Sequence, residues 1–322
     1  MPLDAALRID GLHKRYSRKA PPALDGLTCH FPRGAICGLV GPNGAGKTTL
    51  YSVICGFLPP GAGTVDILGT GPFDPWRLRG RIGVLPQDAA LDERLTCREF
   101  LLYMGALQGL DDARARNAAQ RSIEEVNLVE RADDRIASLS HGMGRRLSAA
   151  SALLGEPELV LLDEPMAGLD PLQAASLRAA LVRQRGRSTV VVSSHNLVEL
   201  ERICDWVVLL EKGRVVRQGT VADVTGRGLH VRWTVGPGLI DATLLSLRQT
   251  LADHDFRLDP ATGADADGAV LQQRTPPGDD LDASAVVVAG ILAAAGVAIR
   301  GCQRGQSLEE SFLETTEAPG TD

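Results

Sequence analysis

The 322-residue sequence predicts an α/β fold: a mostly parallel sheet with an inserted helical region, followed by a second, smaller α/β domain. Three observations carry this. Short, uninterrupted apolar runs alternate with helical patterns between residues 159 and 210, as they do in parallel sheets covered on both faces. Residues 93–155 read mainly as helix and separate the two halves of that sheet. Near residue 220 the character changes, and about 80 residues of strand and helix pattern follow, broken by Asp, Gly and Pro.

Taken in order, Leu7–Ile9, Leu27–Phe31 and Ala35–Val40 read as strands, and a Gly-rich loop leads into a helix from Lys47 to about Phe57. Gly63–Leu85 is a β region. Helical spacing then runs through Phe100, Leu101, Met104 and Leu107, and again through Ile123, Val126 and Leu128. Strands are expected at Leu159–Leu162, Thr189–Ser193 and Trp206–Leu210, with helices at Leu172–Arg185 and Leu197–Cys204. The second domain reads as strand Leu229–Val235, helix Asp241–Asp253, strand Ala269–Gln273, helix Ala283–Ala295 and strand Ala298–Gln303. The expected division is a first domain over 1–220 (helical part about 88–155), a second over 225–315, and a polar tail over 316–322.

Composition narrows the function. Acidic residues number 40 against 34 basic, a net charge of −6, which argues against a dedicated nucleic-acid binder with its basic face. The six cysteines form no CxxC pair, so neither a metal framework nor disulfides are expected. The N-terminus lacks the pattern of a signal peptide. The uncharged run Ala283–Ile299, 17 residues rich in Ala, Gly and Val, reads as buried core rather than a membrane span.

The strongest motif is Gly41-Pro42-Asn43-Gly44-Ala45-Gly46-Lys47-Thr48, with Thr49 next, placed between a buried strand and a helix. This is the P-loop pattern: glycines let successive N–H groups curl around phosphate oxygens at a helix N-terminus. Lys47 would reach the β- and γ-phosphates of a nucleotide, and the Thr48 hydroxyl would bind Mg²⁺. In Leu159-Val-Leu-Leu-Asp163-Glu164-Pro165, four apolar residues place Asp163 at the carboxyl end of a core strand. Asp163 suits Mg²⁺ held through water, and Glu164 suits orienting or deprotonating an attacking water.

Leu139-Ser140-His141-Gly142-Met143 stands about 20 residues before Asp163, with Gln87 and His195 at the remaining stations. On these motifs, residues 1 to about 220 resemble the ATP-binding subunit of an ABC transporter. The resemblance implies a P-loop NTPase (RecA-like) core with an N-terminal antiparallel β subdomain and the inserted helical subdomain. It implies that Tyr16 stacks on adenine, that Gln87 senses Mg²⁺ and the γ-phosphate, that His195 contacts the γ-phosphate and supports Glu164, and that Asp170 crosses a subunit interface. It further implies a head-to-tail homodimer, in which Ser140 and the Gly142 N–H of one chain bind the γ-phosphate held by the other. The cofactors implied are ATP and Mg²⁺.

Two segments depart from the family pattern at four positions. His141 and Met143 replace Gly and Gln in LSGGQ, and Met166 and Ala167 replace the usual hydroxyl residues before Asp170. Glu164 and His195 are both present, which favours a hydrolytic homodimer. The ending SLEESFLETTE is similar to the tail of ATPases paired with ABC-2-type permeases; an ordinary amphipathic helix with Leu308, Phe312 and Leu313 on one face is the alternative. The expected setting is the cytoplasmic side of a membrane, held there by an integral-membrane permease. The competing class is a soluble ATPase of the same family acting on nucleic acid or ribosomes. One cassette, no metal motif, no heptads and a negative net charge fit it less well.

Overall fold

The computed structural model describes residues 4–226, 230–236, 255–260, 269–274, 281–294, 296–305, 307–308 and 311–312. The chain divides into two compact units at Gly219/Thr220.

In the first unit, β1 (Ala5–Lys14), β2 (Leu24–Pro32) and β4 (Ala62–Ile67) form an antiparallel sheet in the order β2-β1-β4. A six-stranded sheet has the order β5-β6-β7-β3-β8-β9, from β3 (Ile36–Val40), β5 (Ile82–Leu85), β6 (Leu159–Asp163), β7 (Thr189–Ser194), β8 (Trp206–Glu211) and β9 (Arg214–Thr220). The pairs β5/β6, β6/β7, β7/β3 and β3/β8 are parallel. Every residue of β3, β6 and β7 is buried, which is why these strands read as unbroken apolar runs.

Helix α1 (Lys47–Ile54) lies under both sheets, with Leu50, Tyr51 and Ile54 in one core with Phe31, Leu39 and Val191. Helices α2 (Cys97–Gln108), α3 (Asp112–Glu125) and α4 (His141–Leu153) pack around a second core of Leu101, Ile123, Leu147 and Leu154. The helical stretch therefore has an interior of its own. α5 (Pro171–Val182) and α6 (Leu197–Ile203) connect the later strands.

The second unit opens with α7 (Val221–Thr225), capped by Thr220. An antiparallel sheet of order β11-β12-β10-β13 follows, from β10 (His230–Val235), β11 (Asp255–Pro260), β12 (Ala269–Arg274) and β13 (Ile299–Arg304). α8 (Leu281–Ala294) contributes Val288 and Leu292 to a core with Val231, Trp233 and Val235. Leu308 is buried, and the Ser311 hydroxyl donates to the Val224 carbonyl at 2.6 Å.

Two strands correct the sequence reading. β9 mixes two arginines and a glutamine with its valines at the sheet edge and follows the Lys212-Gly213 turn, both of positive φ, as a tight hairpin requires. The sequence reading places no strand at 255–260 and takes the Asp/Gly stretch from Asp259 as a connection, yet β11 forms there and runs to Pro260; an edge strand tolerates proline because one side makes no ladder. β1 also extends well beyond Leu7–Ile9 because it is paired on both sides. The expected helix Asp241–Asp253, along with Leu313 and Glu314 of the tail, lies outside the described residues. Among the described residues no helix is long and apolar enough to cross a membrane. Five cysteines are buried and only Cys302 is exposed; all six are free thiols.

Candidate active site

Register assembles the site. Parallel strands end on the same edge, and here Asp163 of β6 lies opposite Ser193 of β7, while Val40 of β3 lies opposite Ser194. The loop Gly41–Gly46, Glu164 and His195 follow directly on these three strands and so converge.

Helix α1 begins unlike the other six helices of residues 4–226. Thr96, Asp111, Ser140, Asp170, Asn196 and Thr220 each place a side-chain oxygen on the first turn of α2 to α7. Gly46 provides none to α1. It has φ 107°, and a Cβ there would lie 2.7 Å from the Ala23 carbonyl oxygen, so only glycine fits. The first-turn N–H groups of α1 are thus left uncapped at the edge of the cleft, the arrangement that receives an anion. Behind them the Lys47 ammonium donates to the carbonyls of Gly41 at 2.6 Å and Pro42 at 3.3 Å. Burial pulls its pKa below the usual lysine range, against the opposing fields of Glu164 and Asp163. The buried Tyr51 hydroxyl lies 3.1 Å from the Leu162 carbonyl and 2.9 Å from that of Val191, pinning α1 to β6 and β7.

Ser193 organises the acidic pair. Its hydroxyl donates to Asp163 Oδ1 and accepts the Glu164 N–H at 3.0 Å. Glu164 adopts φ +48°, a left-handed conformation costing roughly 1–2 kcal/mol for a residue with a Cβ. Main-chain bonds offset that cost: besides Ser193, Arg145 Nη2 donates to the carbonyls of Asp163 and Glu164, both at 2.8 Å. Charge-assisted bonds of this kind contribute about 1.5–3 kcal/mol. His195 Nδ1 lies 3.0 and 3.1 Å from the two Glu164 carboxylate oxygens. A carboxylate only accepts, so Nδ1 carries the proton of this contact, on an exposed ring.

The resulting cleft, of about 490 Å³, is lined by Asn43, Gly44, Gly46, the α1 turn Lys47–Thr49, Gln87, Asp163, Glu164, Ala167, His195 and Ala23. Thr48, Gln87 and Asp163 bring a hydroxyl, an amide and a carboxylate to the same space, a set of hard oxygen donors that fits Mg²⁺. Tyr16 stands beside it, its hydroxyl 3.1 Å from Thr49 Oγ1 and the residue 64% exposed. Ala45 is buried behind the loop.

Besides Tyr16 and the loop residues Gly41, Pro42 and Ala45, three expected residues line no part of this cleft: Ser140, Gly142 and Asp170. Ser140 caps α4 through the Met143 N–H at 3.3 Å, and Asp170 caps α5 through the Gln173 N–H at 2.9 Å. Gln173 also donates to Asp170 at 2.5 Å and lies against Gly142, where any Cβ would collide with its amide. The His141 ring faces Gly168, so this segment and the turn before Asp170 interlock within one chain. Met166 is buried. The sequence reading missed Ala23, Arg145 and Ser193. Only Ser193 carried a signal, as a hydroxyl at the end of an apolar strand.

The protein-family model described as ABC transporter matches residues 24–167. The daunorubicin resistance ATP-binding protein DrrA3 of Streptomyces coeruleorubidus is 35% identical over 97% of this chain and 96% of its own length. A Nod factor export ATP-binding protein I of Paraburkholderia xenovorans is 39% identical over 67% of this chain and 71% of its own. The linearmycin resistance ATP-binding protein LnrL of Bacillus subtilis is 34% identical over 77% and 81%. A solved structure of the ATP binding subunit of an ABC transporter matches with a TM-score of 0.62 at 31% identity, covering 69% of this chain and 93% of that one. An uncapped helix N-terminus facing a carboxylate–histidine pair agrees with these likenesses: the chain belongs to the ATP-binding proteins of ABC transporters and is an ATPase.

Proposed function

We propose that this chain is the MgATP-hydrolysing subunit of an exporter. Two copies would close head to tail on ATP and drive a separate integral-membrane permease of the ABC-2 type. The observation that carries the chemistry is the single cleft in which the uncapped α1 N-terminus faces Glu164 and His195. The direction of transport is supported by the relatives, two named for drug resistance and one for export.

Residues Gly41 to Gly46 and the N–H groups of Lys47, Thr48 and Thr49 cradle the phosphates, with Lys47 exchanging its Gly41 and Pro42 carbonyls for phosphate oxygens. Tyr16 offers its exposed ring to the adenine. Thr48, Gln87 and Asp163 would hold Mg²⁺, which neutralises phosphate charge when bound. Glu164 takes the proton of the water that attacks the γ-phosphorus, and His195 holds the carboxylate through Nδ1–H while its Nε2 side turns toward the phosphate. Ser140, Gly142 and Asp170, away from the cleft of their own chain, serve the partner copy. No nucleic-acid partner is proposed for a chain of net charge −6.

Glu164→Gln tests this reading. Turnover should fall by at least ~100-fold, the range for loss of a general base, with ATP affinity kept and an ATP-bound dimer accumulating. Wild-type turnover in that variant would sink the base assignment. Tagged Glu164→Gln protein with MgATP, purified from gently solubilised cells, should bring a stoichiometric multi-span membrane protein; ribosomes or nucleic acid instead would replace the transporter reading with the soluble one.

A further inference from the structure

Helix α4 carries two adjacent arginines that point to different parts of the molecule. Arg146 donates to the carbonyls of Val126 and Asn127 at the end of α3, inside the helical region. Arg145 turns to the sheet: Nη1 donates to the Gln87 carbonyl, and Nη2 to those of Asp163 and Glu164, each at 2.8 Å. Its Nε is buried without a hydrogen-bond partner, so the two terminal nitrogens alone hold the group.

The acceptors lie 58, 18 and 19 residues away in sequence. They belong to the loop that presents Gln87 to the cleft and to the strand end that presents Asp163 and Glu164. One planar, permanently charged fork thus joins two arms of the site. At Glu164 the junction is most consequential. Its left-handed backbone is held at the N–H by Ser193 and at the carbonyl by Arg145, and from that backbone its carboxylate meets His195.

We propose that Arg145 is a positioning residue for hydrolysis: it clamps the main chain at Gln87, Asp163 and Glu164, so that the placement of α4 sets the geometry of the carboxylate. This inference rests on the reading of Glu164 as the base. Because α4 is built into the helical core through Leu147 and Ala150, this side chain couples displacement of that region to Glu164.

The test measures kcat, affinity for a fluorescent ATP analogue and melting temperature of the full chain. Arg145→Met should lower kcat by about tenfold or more, since small misplacements of a reacting group are costly, and leave analogue affinity within about twofold. Arg145→Lys keeps the charge but loses the fork, and should recover part of the loss, to within about fivefold of wild type. In the Glu164→Gln background, Arg145→Met should cause no further loss of residual turnover. Unchanged kcat in Arg145→Met alongside an inactive Glu164→Gln overturns this proposal alone. So does a parallel fall of kcat, affinity and melting temperature that Lys does not relieve, because that marks a structural role. An active Glu164→Gln overturns the base reading and this proposal with it. If Arg145→Met does not fold, the Lys variant carries the same comparison of kcat with affinity.

Discussion

Two helix N-termini in this chain are assigned to phosphate, and they are built in opposite ways. Gly46 starts α1 with a left-handed turn and no side-chain acceptor, whereas Ser140 starts α4 and accepts the Met143 N–H itself. The first terminus needs an outside acceptor to be satisfied; the second is satisfied already. A hydroxyl that accepts from the backbone still has its own proton to give, so Ser140 can cap its helix and donate to a phosphate of a second copy at once. Under the proposed function, the difference separates a site that would bind nucleotide within one chain from a surface that is stable alone and would become useful only on pairing.

The largest effect expected from breaking this comparison is at Lys47. Lys47→Ala removes the ammonium beside the uncapped terminus and should weaken ATP binding by at least ~100-fold, the scale for losing one partner of a desolvated charge pair. Fluorescent-nucleotide titration checks it, and near-normal affinity would show that the N–H groups suffice without the lysine. Ser140→Asp is the sharper variant. Asp caps as well as Ser, so stability should stay within about 0.5 kcal/mol and single-chain ATP affinity within about twofold. It has no proton to give and carries a negative charge, so the ATP-dependent dimer of the Glu164→Gln protein should disappear in light scattering. A dimer that persists would mean that Ser140 is a cap and nothing more. The smallest effect belongs to Tyr16→Ala. Stacking on a base is worth about 1–3 kcal/mol, and an exposed ring belongs at the low end, so affinity should drop about fivefold to tenfold. An exposed side chain changes stability little, so the melting temperature should hold. Unchanged affinity would leave adenine without an aromatic platform at this position.

What was legible in the sequence follows from what each residue depends on. β3, β6, β7 and β8 could be read because interior parallel strands carry uninterrupted apolar runs, and the loop 41–48 because its glycines obey a local rule. β9 and β11 could not, since edge strands carry charges that look like loop. Glu164 and His195 announced themselves by following apolar strands, and register then placed them 3.0 Å apart. Arg145 gave no sign: an arginine on a helix is normally solvated, and its acceptors are main-chain carbonyls brought near only by the fold. Ala23 was silent for a related reason: what it brings to the cleft edge is its main chain, whose carbonyl lies against Gly46.

The distribution of cysteines turns the chain into its own reporter. The thiolate is the reactive form, and burial raises the thiols of Cys29, Cys37, Cys97 and Cys204 and pushes that of Cys55 up to about 12. All five lie in the nucleotide-binding unit, while Cys302, also raised by partial burial of its thiol but exposed to reagent, lies on β13 of the other. A thiol-reactive probe added to the native chain therefore marks the second unit at one known point, with no substitution needed. Each further label marks an opening of the first unit, so the mass of the labelled protein over time becomes a clock for its unfolding.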